Sequence, residues 1–164
     1  MKPTIIVYGS TTGTCESIAQ SIAEKLGVSS INVSELTADV IASHDNLLLG
    51  TSTWGSGEVQ DDWYTGIETL RSTSLQGKTI ALFGCGDSSS YSDTFCGGMF
   101  ALYQAVQAAG ATLVGAVSTD GYTFDASEAV VDGKFVGLAL DQDNESHLTD
   151  SRIAAWLDQI KPSL

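Results

Sequence analysis

Apolar residues along this chain fall into short unbroken runs and longer, regularly spaced stripes, and the two alternate. The runs Thr4 to Tyr8, Ser30 to Val33, Asn46 to Gly50, Thr79 to Gly84 and Thr112 to Val117 have the length and the apolar, partly β-branched content of strands. Between them, Glu16 to Leu26 places Ile18, Ile22 and Leu26 four residues apart, and Asp61 to Leu70 and Gly97 to Ala109 are helix-like. The last stripe, Thr149 to Ile160, carries Ile153, Trp156, Leu157 and Ile160 at spacings of three and four, so Trp156 reads as core packing. Continuous apolar strands alternating with helices predict an α/β fold, a doubly wound parallel sheet covered on both faces.

One stretch breaks the alternation. Ser118 to His147 is rich in Gly and acids but contains the β-like run Lys134 to Leu140, which predicts an insertion over roughly 118–147 with a small strand of its own. Its apolar run needs burial, so it reads as a cover for the last strand's edge, with a partner-docking surface as the other reading.

At 164 residues and 43% hydrophobic composition the chain suits a single domain, 1–164, with a substantial core. Twenty Asp and Glu against seven Lys and Arg give a net charge of -13, and no Lys or Arg lies between Lys78 and Lys134, where six acids do. Such a surface repels nucleic acid and anionic membranes and steers basic protein partners, and it favours a monomer through self-repulsion. Cys15, Cys85 and Cys96 form no CxxC and no metal-ligand spacing, and His44 and His147 stand alone on polar segments, so neither metal ligands nor catalytic residues are predicted. With Met1-Lys2-Pro3 running straight into the first strand and no apolar run long enough to span a bilayer, a reduced, cytoplasmic protein is expected.

In a doubly wound sheet the ligand sits beyond the carboxyl ends of the strands, so the loops after strands one, three and four are the ones to read. The first, Tyr8-Gly-Ser-Thr-Thr-Gly-Thr-Cys-Glu16, is a hydroxyl-rich turn into a helix. The helix N-terminus, the hydroxyls of Ser10, Thr11, Thr12 and Thr14, and the freedom of Gly13 describe an anion socket without Lys or Arg. The same residues also describe an ordinary Ser/Thr helix cap. The second loop, Thr51 to Glu58, places Trp54 among small residues. The third, Cys85 to Cys96, carries a single phenol, Tyr91. Each aromatic could simply pack locally, but together with the socket they suit a phosphorylated planar heterocycle.

On these residues the chain resembles the flavodoxins, over essentially its whole length. Gly9-Ser-Thr-Thr-Gly-Thr-Cys-Glu16 is similar to the family's phosphate loop, Thr53-Trp54-Gly55 to its first flavin loop, and Gly86-Asp87 through Tyr91 to Cys96 to its second. Thr119 to Phe124 and Gly133 to Asp141 resemble the insertion of the long-chain subgroup. The resemblance implies a five-stranded sheet of order 2-1-3-4-5 with the insertion associated with the last strand. It also implies noncovalent FMN cycling between semiquinone and hydroquinone, in a low-potential one-electron carrier that serves redox proteins in place of ferredoxin. An FMN-dependent NAD(P)H:quinone oxidoreductase of related fold is the alternative. The implied partners are basic surfaces such as that of ferredoxin/flavodoxin-NADP reductase.

By position, Ser10, Thr11, Thr12, Gly13, Thr14 and Cys15 are expected to hold the phosphate, and Trp54 and Tyr91 to flank the ring. Gly55, Ser56 and Gly57 complete the first flavin loop, where a peptide flip after Trp54 would present a carbonyl to the ring. The backbone of Cys85, Gly86 and Asp87, with Cys96, is expected at the pyrimidine edge, Thr53 and Asp143 near the ribityl chain, and Thr94 among the cofactor-binding residues of the second flavin loop. The family usually has Asn at position 14 and Thr at position 15, so Cys15 would replace a hydroxyl donor by a weaker thiol.

Overall fold

A computed structural model describes all residues, Met1 to Leu164. In chain order the elements are β1 (Thr4–Gly9), α1 (Thr14–Leu26), β2 (Ser29–Asn32), α2 (Ala38–Ala42), β3 (Asn46–Trp54), β4 (Glu58–Val59), α3 (Trp63–Arg71), β5 (Thr79–Cys85), α4 (Gly98–Ala108), β6 (Thr112–Val114), β7 (Val117–Ser118), β8 (Val130–Val131), β9 (Lys134–Phe135), β10 (Leu138–Leu140) and α5 (Gln142–Ile160). β2, β1, β3 and β5 stand side by side and parallel, with Val7 opposite Leu49 and Leu49 opposite Leu82. β6 and β10 both pair with β5, one with Thr79 to Ala81 and the other with Phe83 to Cys85, and together fill the fifth strand position. Counted this way, the sheet has the predicted order 2-1-3-4-5.

Because side chains alternate across a strand, each central strand feeds two cores. Ile5, Val7, Leu47, Leu49, Ile80 and Leu82 face the side covered by α3 and α4. Ile6, Tyr8, Leu48, Ala81 and Phe83 face the side covered by α1 and α5. Trp156 lies buried in that second core, its indole N–H donating to the Gly115 carbonyl at 3.0 Å.

The insertion differs from its predicted limits. The expected strand Thr112 to Val117 ends at Val114, and the run Lys134 to Leu140 divides between two sheets. Lys134–Phe135 pairs antiparallel with β7 and β8, whereas Leu138–Leu140 returns to the main sheet parallel to β5. The excursion therefore lies inside the fifth strand, from 115 to 137, and residues 142–147 belong to α5. Strand three also runs further than predicted, to Trp54, where it folds back on β4 with Trp54 opposite Glu58.

Candidate functional site

The first loop builds its anion socket from backbone. Gly13 occupies the cap position of α1 at φ 93, a left-handed conformation that disfavours other residues, and no side chain caps the helix. The predicted alternative, a Ser/Thr cap, is therefore not what forms. Ser10 instead accepts from the Gly13 N–H at 3.1 Å and shapes the loop from within. No protein acceptor meets the N–H groups of Thr11, Thr12, Thr14, Cys15 or Glu16. A cluster of unpaired donors at a positive helix end is what a phosphate dianion requires, so these residues fit one.

A cleft of about 250 Å³ opens beside this socket, at the carboxyl edge of the sheet. Thr12 and Thr14 line it from the first loop; Ser52, Thr53, Trp54 and Gly55 from the end of β3; and Cys85, Gly86, Asp87, Tyr91 and Thr94 from the loop after β5. Gln142 and Asp143, at the start of α5, complete it. Trp54 and Tyr91 are 40% and 56% exposed, values that leave large aromatic faces free in the protein alone. The Trp54 indole is anchored by its N–H to the Ser52 hydroxyl at 2.8 Å.

Four predicted site residues bring no side chain to the cleft lining. The Cys15 side chain is fully buried in the α1 and α5 core beside Cys85, and the Cys85 thiol together with burial holds its own thiol well above the usual range. It cannot stand in for a hydroxyl at the phosphate, and only its N–H faces the socket. The Cys96 side chain is likewise buried and outside the lining, although its backbone N packs against Gly86, which lines the cleft; the residue stands in the left-handed region at φ 53, with Sγ 3.7 Å from the Leu140 carbonyl and 3.8 Å from that of Gly84. Burial pushes its thiol up as well. Ser56 and Gly57 lie outside the lining: Ser56 is exposed at the tip of the turn and Gly57 packs on Thr94. Thr53 does line the cleft, but its hydroxyl accepts from the Gly98 N–H at 3.1 Å, in the first turn of α4.

Sequence reasoning missed the groups that tie these loops together. Gln60 is 2% exposed, donates from Nε2 to the Thr11 hydroxyl and the Asp62 carboxylate, and accepts from the Asp62 N–H. Asp141 is fully buried and accepts from the Ser88 hydroxyl and from both the N–H and the side-chain amide of Asn144. An acid directly before a helix is a cap signal, and Asp141 carried it. Asn144 also donates to Asp87 at 2.8 Å. Hydrogen bonds from the Ser90 N–H and Asn144 hold the Asp87 carboxyl below its ordinary range, while burial and then the charges of Asp87 and Asp141 raise that of Asp143. Carboxylate oxygens of these three acids lie within 4.8 Å of one another. At the socket, the Tyr8 hydroxyl donates to the Glu16 carboxylate at 2.8 Å.

A family model described as flavodoxin matches residues 6–156. Flavodoxin 1 of Azotobacter vinelandii is 43% identical over 159 residues, which cover 93% of this chain and 91% of that protein. The flavodoxin of Helicobacter pylori is 40% identical over 159 residues, covering 96% of each. Among solved structures, Fusobacterium nucleatum flavodoxin bound to flavin mononucleotide superposes with a TM-score of 0.93 at 34% identity, covering 100% of this chain and 99% of that one. No helix of this chain is long and apolar enough to cross a membrane.

Proposed function

The chain belongs to the flavodoxin family, and from that premise we propose that it is an FMN-based electron carrier, not an enzyme, with its cofactor in the cleft lined by Trp54 and Tyr91. One observation carries the reading. A socket of unpaired N–H groups, fit for a phosphate dianion, opens into the same cleft as two half-exposed aromatic rings. FMN, when bound, supplies a centre that takes up and releases electrons one at a time.

The residues divide the work of holding it. The α1 turn binds the phosphate with neutral donors, so the attraction adds no positive charge to the cleft. Trp54 and Tyr91 cover the ring and exclude water from it, and the backbone of Cys85 to Asp87 meets its polar edge. Asp87, Asp141 and Asp143 stand close together on one side, and their field opposes the arrival of further negative charge. That opposition supports a low potential for the carrier.

Its partners are redox proteins. For them we propose basic docking surfaces, such as that of ferredoxin/flavodoxin-NADP reductase, because the net charge is -13 and Trp54, Tyr64 and Tyr91 are exposed. Three free cysteines suit a reducing cytoplasm, and strong self-repulsion suits a monomer.

Calorimetric titration of the cofactor-free chain with FMN, riboflavin and inorganic phosphate tests the assignment. One FMN per chain is expected, bound more tightly than riboflavin by at least ~10-fold through the socket. Equal affinity for the two flavins would show that the α1 turn holds no phosphate.

A further inference from the structure

An acid at the third position of a helix has two places to send its carboxylate. It can reach back to the N–H of the cap residue and close a capping box, or it can turn away to another donor. Glu16 holds that position in α1, which begins at Thr14 with Gly13 at the cap. It does not close the box. The Gly13 N–H donates instead to the Ser10 hydroxyl at 3.1 Å, and the Glu16 carboxylate accepts from the Tyr8 hydroxyl at 2.8 Å.

Tyr8 is built to divert that carboxylate. It stands near the end of β1, 8% exposed, and packs in the core under α1 with Cys15, Ile18 and Ala19, so its ring is held by packing on several sides. Burial, the bond to Glu16 and the charges of Glu16 and Glu35 raise its pKa to about 12, so it stays a donor at neutral pH. No cation shares the task, since the one ion pair of the chain joins Arg152 to Glu145. Without the phenol, the positive end of α1 would draw the carboxylate back over the N–H groups that the socket keeps open. There it would compete with an incoming anion for the same donors and repel it.

We propose that Tyr8 is a positioning residue that keeps the anion socket open: its hydroxyl holds the Glu16 carboxylate off the α1 N-terminus and so sets the preference of the cleft for phosphorylated over unphosphorylated ring ligands. This rests on the reading of the cleft as a flavin site. Trp54 and Tyr91, the stacking surfaces, belong to other loops and are independent of the latch.

The test titrates the full cofactor-free chain, carrying Tyr8→Phe, Glu16→Gln or both, with FMN, riboflavin and inorganic phosphate. Tyr8→Phe keeps the packed ring and removes only the donor. It is expected to weaken FMN and inorganic phosphate by roughly 3- to 10-fold and to leave riboflavin unchanged, with the FMN loss shrinking in added salt. In the Glu16→Gln background there is no charge left to divert, so Tyr8→Phe costs no FMN affinity there and the two substitutions are coupled. An equal loss of riboflavin and FMN in Tyr8→Phe, no loss of FMN at all, or a loss that persists undiminished beside Glu16→Gln overturns the latch while the flavin reading stands. Failure of the unsubstituted chain to bind either flavin overturns both.

Discussion

Gln60 donates from its side-chain amide to the Thr11 hydroxyl at 3.2 Å, joining residues 49 positions apart. The bond couples the loop after β1 to the hairpin that carries Trp54, since Gln60 directly follows β4 and its own N–H donates to the Thr51 hydroxyl at 3.1 Å. The amide is buried, so its bonds form in a medium where losing a partner is costly.

Replacement Gln60→Leu keeps the volume and removes those bonds, leaving the Asp62 N–H without its acceptor. A loss of about 1–3 kcal/mol in unfolding free energy is expected, with weaker FMN binding than the stability loss alone would give. Chemical denaturation and FMN titration of the same variant check it.

Gly55 stands at φ 53, and the nearest atoms a Cβ there would meet are those of the Glu58 carboxyl, at 3.4 to 3.5 Å. Space is available but the left-handed backbone is not free for alanine, at a cost on the order of 1 kcal/mol. Gly55→Ala is expected to lower the maximal fraction of one-electron-reduced protein during titration, with little change in affinity for oxidised FMN. The visible spectrum during reduction reads both.

Two tyrosines set an alkaline limit. Burial, then the bond to Glu16, raises Tyr8 from 10.0 to about 12, and burial raises Tyr122 to about 12. Both pKa values are raised in the folded state, so the stabilisation is complete below pH 10 and is lost as pH rises towards 12. Denaturation across that window should show falling stability, with a shallower slope in Tyr8→Phe.

The acid side has the opposite sign. Asp87 is held below its ordinary pKa by the Ser90 N–H and Asn144, so its contribution is present at neutral pH and lost as pH falls through the lowered value. Asn144→Ala, which also strips a donor from buried Asp141, should therefore cost more stability at neutral pH than in acid. Urea denaturation at roughly pH 7 and roughly pH 3 compares the two.

Much of this was legible in the chain. Ile5 and Val7 against Ile6 and Tyr8 gave strand alternation, and the socket and both aromatics were visible as odd compositions in three loops at one sheet edge. The orientation of Cys15 was legible too, since it precedes Ile18 and Ala19 by three and four residues and so shares their buried helix face. What composition hides is pairing. Nothing in the run from Lys134 to Leu140 announces that Phe135 joins a small antiparallel sheet and Leu138 the main one, because both environments are apolar. Gln60 and Asn144 were silent for a similar reason: an amide's value lies in partners distant in sequence, Thr11 and Asp87.

Stepwise electrochemical reduction of the FMN-loaded protein, followed by its visible spectrum, tests the central claim most directly. The account predicts stoichiometric FMN and two resolved one-electron steps, the second at low potential. A single two-electron step accompanied by steady NAD(P)H-to-quinone turnover, or a chain that remains colourless with added FMN, would contradict it.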